Sequence, residues 1–189
     1  MKIVVASTNK GKIKEIRELF QNHEILSLAD LNFNEEIVEN GNDFTENAYI
    51  KAKTIYDKYH LPVIADDSGI CCYGLELAPG IYSARYAGTG NDEDNNNLLL
   101  KNLREVEDRR CYYECAIVCI LDENKVYKTT AKIEGEIIFE RRGNNGFGYD
   151  PYFYLKEFDK TMAELSLEQK NKISHRAKAL LELKKILNI

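Results

Sequence analysis

The sequence predicts an α/β protein built on a mixed sheet flanked by helices. Three observations carry that prediction. Short β-branched runs recur along the chain, amphipathic stretches with helical spacing separate the early ones, and two long β-rich runs joined by a tight turn occupy the middle.

Lys2 to Ala6 is a β-branched run and reads as a buried strand, broken by Ser7-Thr-Asn-Lys-Gly-Lys12. Ile13, Ile16, Leu19 and Phe20 then repeat at helical spacing, with Lys14, Glu15, Arg17 and Glu18 on the other face. His23 to Leu28 reads as a second strand and completes a βαβ opening. Asp43, with Glu46 three residues on, forms a capping-box pattern ahead of Phe44, Ala48, Ala52, Ile55 and Tyr59, a helix expected to end near His60. Leu61 to Ala65 is another apolar strand, expected to finish at the carboxylates of Asp66 and Asp67. Ala78-Pro79-Gly80 is a turn, and Asp92 to Val106 reads as a helix carrying Leu98, Leu99, Leu100 and Leu103. Tyr112 to Leu121 and Lys125 to Phe139 are strands joined by a hairpin at Asp122-Glu-Asn. Arg141 to Tyr149 is a Gly/Asn loop, and Pro151 to Leu155 a short strand. Leu167 to Leu187 is mostly helix, restarted at Ser174 as an N-cap. With no repeat, low-complexity segment or evident linker, residues 1–189 are expected to form one domain, with the central hairpin as the place for a second lobe.

Composition narrows the function. The 189 residues carry 26 Lys and Arg against 31 Asp and Glu, a net charge of −5, whereas a protein that grips a nucleic-acid backbone usually carries a basic excess. The longest apolar stretch, Ala116 to Leu121, is far short of the roughly 20 residues of a membrane span. Met1 to Ser7 is too short an apolar run for a signal peptide and reads as the start of the fold, so a soluble, cytoplasmic protein is expected, with no nucleic-acid or membrane partner. The five cysteines are odd in number, and Cys71 and Cys72 are adjacent, which fits a reducing compartment better than a disulfide framework. Cys111, Cys115 and Cys119 lie in a β-rich run and would share one strand face as small buried side chains; no Cys-x-x-Cys or nearby His supports a metal there.

Four segments have the residue types that chemistry needs. Ser7-Thr8-Asn9-Lys10-Gly11-Lys12 lacks the Walker A spacing, yet its hydroxyls, amide, glycine and lysines at a strand-to-helix turn suit a polyphosphate; the plain alternative is a solvated turn. Asp66 and Asp67 repel each other unless a cation or proton compensates, so a hard divalent metal is a natural partner; Glu35, Glu36 and Glu39 in the preceding acidic loop are candidate further ligands, and a cap or turn is the alternative. Gly143 to Pro151 places glycines around Phe147 and Tyr149, as a loop that lets a flat ring stack would, or as a structural turn would. Lys170 to Arg176 offers donors suited to a nucleobase carbonyl or a phosphate, or simply a charged surface.

In order, the chain holds Ala-Ser-Thr-Asn-Lys-Gly-Lys, then Glu39-Asn-Gly-Asn-Asp-Phe-Thr-Glu-Asn-Ala-Tyr-Ile-Lys-Ala, Ala-Asp-Asp-Ser-Gly, Ala-Pro-Gly-Ile-Tyr-Ser-Ala-Arg-Tyr-Ala-Gly, Gly-Phe-Gly-Tyr-Asp-Pro, Ala-Glu-Leu and Lys-Asn-Lys-Ile-Ser-His-Arg. This series closely resembles the inosine/xanthosine triphosphate pyrophosphatases, over nearly the whole chain. The resemblance implies an inosine triphosphatase-like fold: a long mixed sheet flanked by helices, two lobes with a central nucleotide-binding cleft, and a homodimer. It implies hydrolysis of non-standard purine triphosphates (ITP, dITP, XTP) to the monophosphate and pyrophosphate with Mg²⁺, which keeps them out of DNA and RNA. It places the triphosphate loop on Ser7, Thr8, Asn9, Lys10, Gly11 and Lys12, a phosphate-contacting lysine on Lys51, and metal ligands on Glu39 and Asp67. Asp67 is also the implied proton acceptor, with Ser68 beside it and Asp66 a live alternative because metal-bound carboxylates are weak bases. Base contacts fall on Phe147, Gly148, Tyr149, Asp150, Lys170, His175 and Arg176; donors such as the last two would favour a 6-carbonyl over adenine's 6-amino group. The Cys71-Cys72 pair departs from the family's usual residues without touching a matched position. Two rivals remain at this stage: a relative acting on other triphosphates, and a nucleotide sensor that has lost the chemistry.

Overall fold

The computed structural model describes residues 1–189. The opening βαβ expectation is met by β1 (Lys2–Val5), α1 (Lys10–Leu19) and β2 (Glu24–Ser27), followed by α2 (Phe44–Tyr59) and β3 (Val63–Cys72). Further on come α3 (Asp92–Leu103), β4 (Arg110–Asp122), β5 (Lys125–Ile137), β6 (Phe153–Leu155), β7 (Lys160–Thr161), α4 (Leu167–Ile173) and α5 (His175–Leu187). The seven strands form one sheet in the order β2-β1-β3-β4-β5-β6-β7. β1 is parallel to β2 and β3, whereas β6 is antiparallel to β5 and β7, so the sheet is mixed. No helix is long and apolar enough to cross a membrane.

The chain divides into two compact units: residues 1–67, 115–131 and 176–189, and residues 68–114 and 132–175. In the first unit, strand alternation sorts side chains onto two faces. Ile3, Val5, Ile64, Cys115, Ile117 and Cys119 pack with Ile13 and Ile16 of α1, with Phe20 at its C-terminal end, and with Ala179, Leu180 and Leu183 of α5. Val4, Ala6, Val63, Ala65, Val118 and Ile120 turn the other way and pack with Ala48, Ala52, Ile55 and Tyr56 of α2. Each fully buried Ile or Phe contributes about 1.5–3 kcal/mol, which is why the helical spacing of apolar residues in α1 fixes its orientation. In the second unit, Leu99 and Leu103 of α3 pack on Ile70, Cys72, Tyr113, Ile133, Ile137, Phe153 and Met162.

Several boundaries differ from the sequence expectation. β3 does not stop at Asp66-Asp67 but continues to Cys72, because each carboxylate finds cationic or amide partners and the apolar Ile70 and Cys72 resume the core. α3 ends at Leu103, where Val106 leaves the helical path to pack against the core. β7, only 2 residues long, carries no pattern that a period-2 reading can see. The break at Ser174 is as expected: its extended backbone separates α4 from α5. Asp43 caps α2, but Glu46 reaches back to the amide of Asn42 rather than closing a box on Asp43 itself. All five cysteines are free and buried, and Cys111, Cys115 and Cys119 lie on one face of β4.

Candidate active site

In the first unit, the same alternation that builds the core separates the paired carboxylates. Asp66 follows Ile64 to the face of α1 and α5, and Asp67 follows Ala65 to the face of α2. Two charges that would repel side by side are thereby directed to different cations.

Asp66 is 1% exposed. Its Oδ2 lies 3.1 Å from Lys12 Nζ and accepts from Arg176 Nε at 3.0 Å. Arg176, 2% exposed, also donates through Nη1 to Glu15 Oε2 at 2.5 Å. Burial alone would push the Asp66 carboxyl up, but Lys12, Arg176 and Lys51 outweigh it and hold the group well below the usual carboxylate range.

Asp67 accepts from Lys51 Nζ at 3.0 Å on Oδ1 and from Asn47 Nδ2 at 3.2 Å on Oδ2. The same Lys51 ammonium donates to Glu39 Oε2 at 2.7 Å. Asn47 Oδ1 in turn accepts from the Gly41 amide at 2.9 Å, tying the acidic loop to the helix. Burial raises the Asp67 carboxyl above its ordinary value; Lys51 and Lys12 offset this only in part, and Glu39 adds to it. Burial works against the Lys51 ammonium, yet Asp67, Asp66 and Glu39 together raise it.

The Ser7–Lys12 turn is organised by capping. Asn9 Oδ1 accepts from the Lys12 amide at 3.1 Å, and Ser7 Oγ accepts from the Asn9 amide at 3.1 Å. As the first residues of α1, Lys10 and Gly11 carry amides with no helical acceptor, the ready anion-binding end of a helix. Ser7, Thr8 and Lys10 also wall a cavity of about 730 Å³ together with Lys14, Arg17, Phe33 and Asn34.

In the second unit, Asp150 organises the Gly/Asn loop. Its Oδ2 accepts from Lys170 Nζ at 2.7 Å and from the Phe147 amide at 3.0 Å, and its Oδ1 accepts from Tyr113 Oη at 3.2 Å. Tyr113 stacks on His175 with centroids 4.7 Å apart and planes 16° apart. Burial and the neighbouring Asp150 push the Tyr113 phenol well up, so it stays a donor. Lys170 Nζ stands 4.8 Å from the centre of the Phe147 ring. Gly146, at φ +78, leaves room that a side chain would take: a Cβ there would lie 2.0 Å from Asp150 Oδ2. Tyr149 is buried and spends its hydroxyl on the Ser83 carbonyl at 2.7 Å, so it anchors the loop.

Among these carboxylates, Glu39 and Asp67 are the pair that could hold a hard cation. Glu39 and Asp67 bring two carboxylate oxygens to a single positive centre, the Lys51 ammonium, and oxygen donors of this kind suit Mg²⁺, which takes one or two carboxylates and completes its shell with water and phosphate. No group of three or more His, Cys, Asp or Glu side chains gathers for a metal, so an all-protein cage of the zinc type has no counterpart here.

The model of the Ham1 family matches residues 3–186. The chain belongs to the Ham1 family. A protein of Nautilia profundicola named dITP/XTP pyrophosphatase is 50% identical over 192 residues, covering 99% of this chain and 97% of the relative. One of Listeria monocytogenes with the same name is 47% identical, covering 98% and 94%. Among solved structures, the Ham1 protein of Staphylococcus aureus superposes with a TM-score of 0.89 at 40% identity, covering 100% of this chain and 98% of the other. That of Coxiella burnetii gives 0.90 at 38% identity, again covering 100% and 98%.

In this Ham1-family chain the residues singled out in the sequence fall into three groups. Lys12 and Arg176 both meet Asp66; Glu39 and Asp67 both meet Lys51; Phe147, Asp150 and Lys170 meet one another, with His175 joined through Tyr113. Ser68 follows Asp67 in β3 and is half-buried. Sequence reasoning missed Glu15, Asn47 and Tyr113. Glu15 and Asn47 had a signal: they stand three residues after Lys12 and four before Lys51 on the same helix faces. Tyr113 had none, because its partners lie far away in the chain.

Proposed function

We propose that this chain hydrolyses non-standard purine nucleoside triphosphates (ITP, dITP and XTP) to the monophosphate and pyrophosphate, clearing them from the nucleotide pool before they enter DNA or RNA. The observation that carries the reading is the convergence of Glu39 and Asp67 on Lys51 beside an Asp66 already neutralised by Lys12 and Arg176. Such an arrangement has a use for both a divalent cation and a polyanion. The names of the relatives, dITP/XTP pyrophosphatase, support the substrate class.

Glu39 and Asp67 would hold Mg²⁺, which when bound offsets negative charge on phosphate oxygens. Lys12 and Lys51 add positive charge for the departing pyrophosphate, and Ser7, Thr8, Asn9, Lys10 and Gly11 receive the phosphates through hydroxyls, the side-chain amide and first-turn N–H groups. Asp67 takes the proton from the attacking water on a carboxylate oxygen, with Ser68 next to it. Of the two aspartates, Asp66 is locked by Lys12 and Arg176 and held far down, which leaves Asp67, paired with Lys51 and Asn47, as the acceptor of this reading. Phe147 stacks on the base; Gly148, Tyr149, Asp150 and Lys170 shape and charge its surroundings, and His175 and Arg176 favour a 6-carbonyl. Arg176 does this while anchored by Asp66 and Glu15, so it also holds the carboxylate that fixes Lys12.

The whole of residues 1–189 acts as one pyrophosphatase domain, a homodimer in the cytoplasm; the five free, buried cysteines suit that reducing compartment. Light scattering on the purified protein tests the dimer. Pyrophosphate release from ITP with Mg²⁺ and with EDTA tests the cation: release should vanish with EDTA and return on adding Mg²⁺, and release that persists in EDTA rejects the metal role.

A further inference from the structure

The polar run Asp92-Glu-Asp-Asn-Asn-Asn97 at the start of α3 plays no part in the proposed chemistry, yet two of its members reach the Phe147–Asp150 loop. Asp92 Oδ2 accepts from the Gly148 amide at 2.7 Å, and Asn96 Nδ2 donates to the Gly148 carbonyl at 3.0 Å. Residues four apart share a helix face, so α3 grips one residue by both of its backbone polar groups. Other polar residues nearby serve other ends: Asn91 caps the helix, Thr89 donates to Asp94, and Asn95 accepts from the Ala87 amide and donates to the Ala84 carbonyl.

The Asn96 side chain shows which contact it is kept for. It is 4% exposed, and its Oδ1 is buried without a hydrogen-bond partner, an arrangement that costs stability. Only the donor end is used, and it is used on Gly148. Gly148 itself sits at φ +62, which glycine adopts without strain but shares with many other accessible conformations, so hydrogen bonds on both sides of it narrow its choice. The amide and the carbonyl of Gly148 belong to the peptide planes on either side of it. Fixing both sets the direction in which Phe147 leaves the backbone on one side and Tyr149 on the other.

We propose that Asp92 and Asn96 are positioning residues for base selection: through Gly148 they hold the Phe147 ring at the angle that a flat purine requires. The proposal rests on the reading that the Phe147–Asp150 loop receives the base. Neither residue touches substrate; they act through the loop, and their loss should therefore disturb base discrimination and KM while leaving the phosphate chemistry in place.

The test is kcat and KM for ITP and for ATP in Asp92→Ala, Asn96→Ala, the conservative Asp92→Asn, and Phe147→Ala, with inhibition by inorganic pyrophosphate as a readout of the phosphate contacts. Asp92 is exposed, so its alanine variant keeps the core intact. In both α3 alanine variants the ITP-to-ATP ratio of kcat/KM should fall about tenfold, mainly through KM for ITP, the scale on which lost positioning acts. Pyrophosphate inhibition should stay within about twofold, and Asp92→Asn, which keeps an acceptor for the Gly148 amide, should restore most of the ratio. A wild-type ratio in Asp92→Ala overturns the proposal, as does an equal loss in Asp92→Asn, which would make charge rather than the hydrogen bond responsible. Phe147→Ala separates the two layers. If it lowers the ratio and the α3 variants do not, the clamp is wrong; if it leaves the ratio unchanged, the base site itself is misplaced and the proposal falls with it.

Discussion

Replacing Asp66 by asparagine removes the charge on which the buried Arg176 and the half-buried Lys12 depend. Lys12 Nζ and Arg176 Nε lie 3.1 and 3.0 Å from Asp66 Oδ2, and the Asp66 side chain is 0% exposed. Asparagine fills the same volume and can still accept one hydrogen bond, so the effect is electrostatic rather than a cavity. Removing one partner from a buried ion pair typically costs about 3–5 kcal/mol. For a domain of this size each kcal/mol moves Tm by about 2–4 °C, so Asp66→Asn should lower Tm on the order of 6–20 °C at neutral pH.

The pH dependence gives the sharper form of the test. The folded-state Asp66 carboxyl is held below its unfolded value, so the stability it contributes is fully present above about pH 4 and is lost as pH falls below that. Calorimetric melts of both proteins between pH 7 and pH 3 should show a wide gap in Tm at the upper end that narrows below about pH 4. A Tm within about 2 °C of wild type at pH 7, or a gap that stays constant into acid, would refute the reasoning, since either outcome means the carboxylate does not carry the two cations.

Asp67→Asn should keep the fold and lose about 10²–10⁴ in kcat for ITP, the range of a lost proton acceptor; near-normal kcat would hand that role to another group. Gly146→Ala forces a side chain to φ +78 and to within 2.0 Å of Asp150 Oδ2. It should lower stability by about 1–3 kcal/mol in denaturant titrations and raise KM for ITP, and unchanged values would mean that the loop moves aside freely. The thiols should be silent in the native protein, since all five are buried and burial pushes Cys71 up to about 11 and Cys119 up to about 12. An Ellman titration should therefore find almost no reactive thiol until denaturant is added, when all five react.

The elements that the sequence made legible are those whose pattern is local. Ile13, Ile16 and Phe20 mark α1, and Phe44, Ala48, Ala52 and Ile55 mark α2, because a 3.6-residue period can be read without knowing the partner. The break at Ser174 was visible because serine favours helix ends; its extended backbone is the C-cap of α4. The course of β3 was hidden because two adjacent aspartates look like a strand end until their partners are known, and one of these, Arg176, lies 110 residues away. The candidate site divides in the same manner. The family motifs bring candidate residues into view, but they show neither that Arg176 is held by Asp66 and Glu15 nor that Tyr113 joins Asp150 to His175. They are also silent about α3, whose Asp92 and Asn96 reach Gly148 across more than 50 positions of sequence, separated from it by 56 and 52 residues.

The most direct measurement is pyrophosphate release from ITP, XTP and ATP side by side, with Mg²⁺ present and with orthophosphate assayed in parallel. The predicted result is stoichiometric pyrophosphate without orthophosphate, with kcat/KM for ITP and XTP exceeding that for ATP by about 10² or more, as expected of a site that pairs donors with a 6-carbonyl. Equal hydrolysis of all three, or orthophosphate as the product, would contradict the assignment.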